Sequence, residues 1–169
     1  MLVRDARPDD AFAVESIRVR GWQIAYRHVF PPDQLDAMRV DENRWRRRFI
    51  EPQGWSTFVA ESGDDVVGFA TVGPSRDENG IGELYAIYVD PEEWSQGAGG
   101  ALLDAAEQRL ALDFEEATLW VLTANGRARR FYERAGWDAD GAEKTDVWLG
   151  VRASETRYRK RLITSTSRA

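Results

Sequence analysis

The sequence predicts an α/β fold of the α+β type: a mixed, mostly antiparallel central sheet flanked by helices. Three observations carry this. Short apolar or alternating runs, "STFVAES", "DVVGFATVG", "GELYAIYV" and "ATLWVL", read as strands. Longer segments with apolar residues about one helical turn apart read as helices. The turn residues Gly63 and Asp64 join two of the strands by a tight hairpin, so the strands cannot all be parallel.

In chain order, "LVRDA" reads as a short strand. "DDAFAVESIRVRGWQIAY" reads as a helix after Pro8, with Val14, Ile17 and Gly21 along one face. "PPDQLDAM" and "ENRWRRRFI" suggest further short helices, and the hairpin around Gly63 follows. In "GELYAIYV", strand alternation puts Glu83, Tyr85, Ile87 and Val89 on one face. Pro91 stops that strand, "EEWSQ" makes a turn, and a helix opens at Gly97 with Leu102, Ala105, Ala106 and Leu110 on its buried face. The strand "ATLWVL" and the helix "RARRFYERA", ended by Gly136, come next. "DVWLGV" and "ETRYRKRL" read as two closing strands. Residues 1–163 read as one domain, and 164–169, "TSTSRA", as a flexible tail.

Composition removes several classes of function. The 169 residues are 43% hydrophobic and include seven tryptophans, which argues for a packed core rather than disorder. No apolar run is long enough to span a bilayer, and "MLVRDARPDD" lacks the apolar centre of a signal peptide. With no cysteine there is no disulfide framework, thiolate metal site or Cys nucleophile, so a cytoplasmic chain with no membrane partner is expected. A net charge of −6 disfavours nucleic acid as a partner, and "RWRRRF" reads as a helix with one solvated face. His28 is the only histidine, so neither a His triad nor a multi-His metal site is expected, and no metal is assigned.

Two segments point to chemistry. In "EEWSQGAGGALL", Gly97, Gly99 and Gly100 open a helix, although glycine is a poor helix former. Amides at a helix N-terminus are unpaired and carry the positive end of the macrodipole, and glycine removes the Cβ atoms that would hold a phosphate away. Close packing explains such glycines equally well. The pattern is neither a Walker loop nor the Rossmann fingerprint, because no Gly-Lys-Ser/Thr follows and the position in the chain is wrong. In "TANGRARRFYERAGW", Asn125 caps a helix that turns Ala128, Phe131, Tyr132 and Ala135 inward. Tyr132 is read as a core tyrosine, or as a proton donor beside a ligand.

Together, "IYVDPEEWSQGAGGALL" and the later "FYERAGW" resemble the GNAT superfamily of GCN5-related N-acetyltransferases, and the resemblance runs over nearly the whole chain. It implies the acyl-CoA N-acyltransferase fold, acetyl-CoA as co-substrate, and a small-molecule amine or peptide N-terminus as acceptor. It also allows a homodimer. The family's Q/R-x-x-G-x-G/A signature falls on Trp94, Ser95, Gln96, Gly97, Ala98 and Gly99, with Gly100 beside them and Trp94 departing from the usual Gln or Arg. Amides in this stretch would hold the pyrophosphate. Ile87 and Val89 would offer main-chain groups to the pantetheine arm, and Asn125 would contact the same arm. Arg127, with Arg129 and Arg130, would lie near the adenosine phosphates, although a solvated helix face explains at least two of the three.

The resemblance further implies that an amide near Tyr88 or Val89 holds the thioester oxygen and that Tyr132 protonates the departing thiolate. Glu83 is the candidate base, acting directly or through water, with ordinary edge solvation as its plain reading and Tyr85 as runner-up. Trp22 and Tyr26 could line the acceptor pocket. Without cysteine an acetyl-Cys intermediate is impossible, so direct transfer in a ternary complex is expected. Two other readings stay open: a non-catalytic acyl-CoA-binding sensor, and an interaction module in which the glycines only permit packing.

Overall fold

The computed structural model describes residues 1–163; the predicted tail, 164–169, lies outside the described residues. The chain forms β1 (Leu2–Asp5), α1 (Ala11–Ala25), α2 (Pro32–Asp36), α3 (Glu42–Ile50), β2 (Ser56–Ser62), β3 (Asp65–Pro74), β4 (Gly82–Val89), α4 (Ala98–Leu110), β5 (Glu116–Leu122), α5 (Gly126–Arg134), β6 (Asp138–Trp148) and β7 (Val151–Arg161). The strands make one sheet in the order β1-β2-β3-β4-β5-β7-β6. Neighbours are antiparallel except β4 and β5, which are parallel.

Alternation along the strands loads both faces. On one, Ala60, Ala70, Val72 and Leu84 meet Leu102, Leu103, Ala106 and Leu110 of α4. On the other, Val59 and Phe69 meet Val14 and Ile17 of α1 and Trp45 of α3. A third cluster, Tyr26, Phe30 and Leu35 over Leu122 and Ala153, covers the β5–β7 end. Each fully buried Leu, Ile or Phe contributes about 1.5–3 kcal/mol. Gly68 on β3 is a packing glycine, since a Cβ there would lie 2.9 Å from the Tyr88 carbonyl oxygen and 3.0 Å from Leu102.

Two expectations are corrected. Glu83, Tyr85, Ile87 and Val89 do not share a face. Thr71 pairs with Ala86 but Val72 with Leu84, so Tyr85 is an extra residue in β4. This bulge flips the alternation: Leu84 packs on the α4 side together with Ile87 and Val89, leaving Glu83 on the opposite side. Second, "DVWLGV" is not a strand but straddles a turn. Leu149 (φ 48) and Gly150 (φ 76) form the two-residue loop between β6 and β7. Positive φ at both positions suits a tight hairpin, and a leucine in such a position is what concealed it.

Candidate active site

β4 and β5 pair only over Gly82–Leu84 and Ala117–Leu119 and then part. The bulge at Tyr85 bends β4 where the two diverge. The opening is a cleft of about 920 Å³, reaching from the first turn of α4 to the start of β4 and lined besides by residues of α1, α3, α5 and the β6–β7 hairpin.

The ladder with β3 decides which main-chain groups face the cleft. The Asp90 amide donates to the Val67 carbonyl at 2.8 Å, bracketing the Gly68–Val89 pair. In an antiparallel ladder this makes Gly68–Val89, and two residues back Ala70–Ile87, the pairs not bonded to each other. The amides and carbonyls of Ile87 and Val89 therefore turn away from β3, toward the splayed side. Those of Tyr88 are bonded to β3. The Val89 carbonyl accepts from the Trp94 indole Nε1 at 2.9 Å, and the Val89 amide is left facing the cleft.

Below Val89, the 3-10 turn at Pro91–Glu93 is tied back by the Asp90 carboxylate, which accepts from the Glu92 amide at 3.2 Å and pairs with Arg20 of α1. Gly97 caps α4 with φ 94, a left-handed conformation that a side chain strains. The first helical bond runs from the Ala101 amide to the Gly97 carbonyl at 3.1 Å, so the amides of Ala98, Gly99 and Gly100 come before it. A Cβ on Gly97 or Gly100 would meet no protein atom within 4 Å, and one on Gly99 would make only ordinary contact with Phe131, at 3.5 Å. Packing, which accounts for Gly68, does not account for these. Both amides and open space suit a phosphate group, and the cradle fits the pyrophosphate of acetyl-CoA. Arg127 lies over the Trp94 ring, 3.7 Å from its centroid, and brings a cation to the cradle's edge.

Three tyrosines meet in the middle. Tyr132 on α5 is 7% exposed and lines the cleft. Burial, with Tyr26 and Tyr88 nearby, pushes its pKa far up, so the hydroxyl keeps its proton. Burial likewise raises Tyr26 and Tyr88. The Tyr88 hydroxyl accepts from Trp22 Nε1 at 2.9 Å. Asn125 is engaged twice, with Oδ1 accepting from the Ala128 amide at 3.1 Å as helix cap and Nδ2 donating to the Tyr26 hydroxyl at 3.2 Å.

At the start of β4 the predicted base is out of reach. Glu83 is 0% exposed and absent from the cleft wall. Its carboxylate accepts from the Arg76 amide at 2.9 Å and from the Arg76 guanidinium. Tyr85 does line the cleft; its hydroxyl donates to the Pro74 carbonyl and its ring packs on Trp55 at 4.4 Å. Burial pushes its pKa up to about 12.

Ile87, Tyr88, Val89, Trp94, Ser95, Gly97, Gly99, Gly100, Asn125, Arg127, Tyr132, Trp22, Tyr26 and Tyr85 all line this one cleft. Glu83, Gln96 and Ala98 do not: the Gln96 side chain donates to the Glu92 carbonyl at 3.3 Å and Ala98 is core. His28 is exposed. The sequence reading missed Glu155 of β7. It is 8% exposed, lines the cleft and has Lys144 at 3.7 Å. Burial raises its pKa, against the opposing pull of Lys144 and with Asp146 adding to the rise. Inside "ETRYRKRL" it looks like one more alternating charge, and only the paired register with Leu122 and Lys144 shows where it lies. No group of three or more His, Cys, Asp or Glu side chains that could hold a metal occurs among the described residues. No helix among them is long and apolar enough to cross a membrane.

A parted parallel pair with a glycine cradle at its end suits an extended ligand that carries phosphate, and comparison with known proteins gives the class of protein. The Acetyltransferase (GNAT) family profile matches residues 17–137. An uncharacterized N-acetyltransferase of Bacillus subtilis, YuaI, is 36% identical over 129 residues, covering 73% of this chain and 72% of that protein. A mycothiol acetyltransferase of Acidimicrobium ferrooxidans is 32% identical over 86% of this chain, which spans 45% of that longer protein. The crystal structure of the PaiA N-acetyltransferase from Thermoplasma acidophilum, in complex with coenzyme A, superposes with a TM-score of 0.79 at 17% identity, covering 95% of this chain and 98% of that one. The chain belongs to the GNAT family: it is an acetyltransferase that takes acetyl-CoA as co-substrate.

Proposed function

We propose that the protein transfers acetyl from acetyl-CoA to a primary amine, directly, in a ternary complex. The observation that carries this is the absence of any packing role for Gly97 and Gly100 beside a cleft-facing Val89 amide. Bound acetyl-CoA supplies the acetyl thioester. The amides of Ala98, Gly99 and Gly100 hold its pyrophosphate, with Arg127 on Trp94 in place of the Gln or Arg side chain usual at that position. Ile87 hydrogen-bonds the pantetheine arm through its main chain. The Val89 amide, rather than that of Tyr88, donates to the thioester oxygen and stabilises the charge that develops there. Glu155, rather than Glu83, takes the proton of the attacking amine: it lines the cleft and its raised pKa suits a base. Tyr132 gives its hydroxyl proton to the departing sulfur.

Calorimetric titration with acetyl-CoA, wild type beside Gly97→Glu, tests the cradle. Wild type is expected to bind and the variant not. Equal behaviour of the two would remove the basis of the reading. An amine screen for thiol release then tests turnover.

A further inference from the structure

In a chain whose net charge is −6, the acceptor end of the cleft holds two arginines that lack an ion-pair partner among the described residues. Arg44 and Arg48, one turn apart on α3, both line the cleft. Neither forms a salt bridge or side-chain hydrogen bond among the described residues, whereas neighbouring Arg18 pairs with Glu15 and Arg76 with Glu83. Arg48 is half-buried, with its guanidinium carbon 4.1 Å from the centre of the Trp55 ring and 5.0 Å from that of Trp45. These rings fix the fork in place without neutralising it. Burial, then the charges of Arg44 and Arg76, lower the pKa of Arg48. A half-buried arginine beside like charges is stabilised by an anion that joins it.

That anion is not part of acetyl-CoA in the pose proposed above. Arg48 stands by Trp55, which packs on Tyr85, while the glycine cradle follows Val89. Tyr85 and Val89 are about 13 Å apart at the usual rise of a strand. Glu155, the base in the reading above, lines the same cleft, and the charge of Arg76 reaches both Glu155 and Arg48.

Resting on that transferase reading, we propose that Arg48, with Arg44 beside it, forms an anion subsite, so that the amine acetylated here also carries an anionic group such as a carboxylate or phosphate. The amine lies at Glu155 and the anion is gripped by the guanidinium between the two tryptophans.

The experiment measures binding to the CoA-saturated protein, read by tryptophan fluorescence, with amines offered as matched pairs. Glycine, β-alanine, γ-aminobutyrate and glycylglycine are each compared with their C-terminal amides, and 2-aminoethyl phosphate with ethanolamine. For at least one pair the anionic member should bind at least about tenfold tighter, the factor supplied by one charge-assisted hydrogen bond. The pair that shows it tells carboxylate from phosphate and gives the spacing. Arg48→Gln should abolish the preference and Arg44→Gln weaken it, with Arg48→Lys intermediate and acetyl-CoA affinity unchanged in all three. Equal binding within every pair, undetectable binding included, overturns the subsite, as does a preference that survives Arg48→Gln. Thiol release from acetyl-CoA is followed separately. A binding preference without thiol release sinks the transferase reading and leaves the subsite standing. Thiol release at equal rates from charged and capped amines does the reverse.

Discussion

The two ends of the cleft are built by different means. In the function proposed, the recognising groups at the donor end are main chain: cleft-facing Ile87 and Val89, and the first amides of α4. All come from one stretch of fourteen residues, 87–100. At the proposed acceptor end the cleft is lined by side chains, Trp22, Arg48, Trp55, Tyr85, Trp148 and Glu155, delivered by α1, α3, the segment before β2, β4, β6 and β7. A backbone site depends on local conformation and on the absence of side chains, and it serves a ligand that does not vary. A side-chain site depends on where distant elements come together, and it is free to take a different acceptor whenever one of them changes.

The largest expected effect comes from filling the donor end. Gly100 stands at the third position of α4 with ordinary helical φ and nothing within 4 Å of a would-be Cβ. Glutamate there helps the helix, gaining about 1 kcal/mol of propensity over glycine and an acidic group near the positive end of the dipole. The same carboxylate would meet the pyrophosphate. Gly100→Glu is therefore expected to raise Tm slightly and to weaken acetyl-CoA binding by on the order of 100-fold or more, as two charges a few ångströms apart cost roughly 4 kcal/mol in a partly screened site. Thermal melts and calorimetry on one sample check both. Retained affinity would mean that the cradle is not where the anion binds.

That contrast also explains what was legible in the sequence. The strand-turn-helix around Pro91 and Gly97 is a local pattern, and the helix carrying Tyr132 is another; the structure brings both to one cleft. Glu83 misled because alternation was counted straight through β4, and a single extra residue, Tyr85, turns the carboxylate away from Ile87 and Val89 and into the grip of Arg76. Nothing in "GELYAIYV" announces the bulge, which exists only relative to the register of β3. Arg48 was read as part of a solvated helix face. The structure divides "RWRRRF" differently, with Trp45 in the core against Val59 and Phe69 and with Arg44 and Arg48 along the cleft.

The next largest effect separates binding from chemistry. Tyr132→Phe keeps the ring among Phe131, Trp137 and Tyr158 but removes the proton. A drop in kcat of on the order of 100-fold is expected, the lower range for losing a general acid. Acetyl-CoA affinity should be unchanged, because the cradle lies elsewhere. If kcat falls less than about threefold, the hydroxyl is not the acid.

Glu155 and Glu83 can be set against each other. Glu155→Gln should lower kcat/KM by on the order of 100-fold. In wild type, kcat/KM should rise with pH through an acid limb placed above the usual glutamate range, because burial raises this carboxyl. The variant should lose that limb. The stability effect has the opposite sense from a paired carboxylate. A raised folded-state pKa means that the folded protein holds the proton more tightly, so the group costs stability as pH rises from about 4.3, the unfolded value, through the folded one. Glu155→Gln should therefore be neutral to stabilising at pH 7, with no gain below pH 4. Glu83→Gln should act on the fold instead, weakening the anchor of the Arg76 loop by roughly 1–3 kcal/mol, with little change in the shape of the pH profile. If the two variants exchange these phenotypes, Glu83 is the base after all.

The smallest effect tests the one place where a side chain enters the donor end. Trp94 takes the position that a charged or amide side chain usually holds, donates to the Val89 carbonyl and supports Arg127. Its ring cannot itself bind a phosphate by charge, so its contribution is to hold a cation that belongs to another helix. Trp94→Ala removes that support and frees the Val89 carbonyl, while the amides of α4 stay in place. Acetyl-CoA affinity should fall by only about three- to tenfold, in line with a cation–π contact of roughly 0.5–1 kcal/mol plus a lost ordering effect on Arg127. Arg127→Ala should cost about the same, and the double variant no more than either alone, because the two residues act as one unit. Fully additive losses would show that Trp94 and Arg127 meet the ligand independently, and the donor end would then rely on side chains more than its glycines suggest.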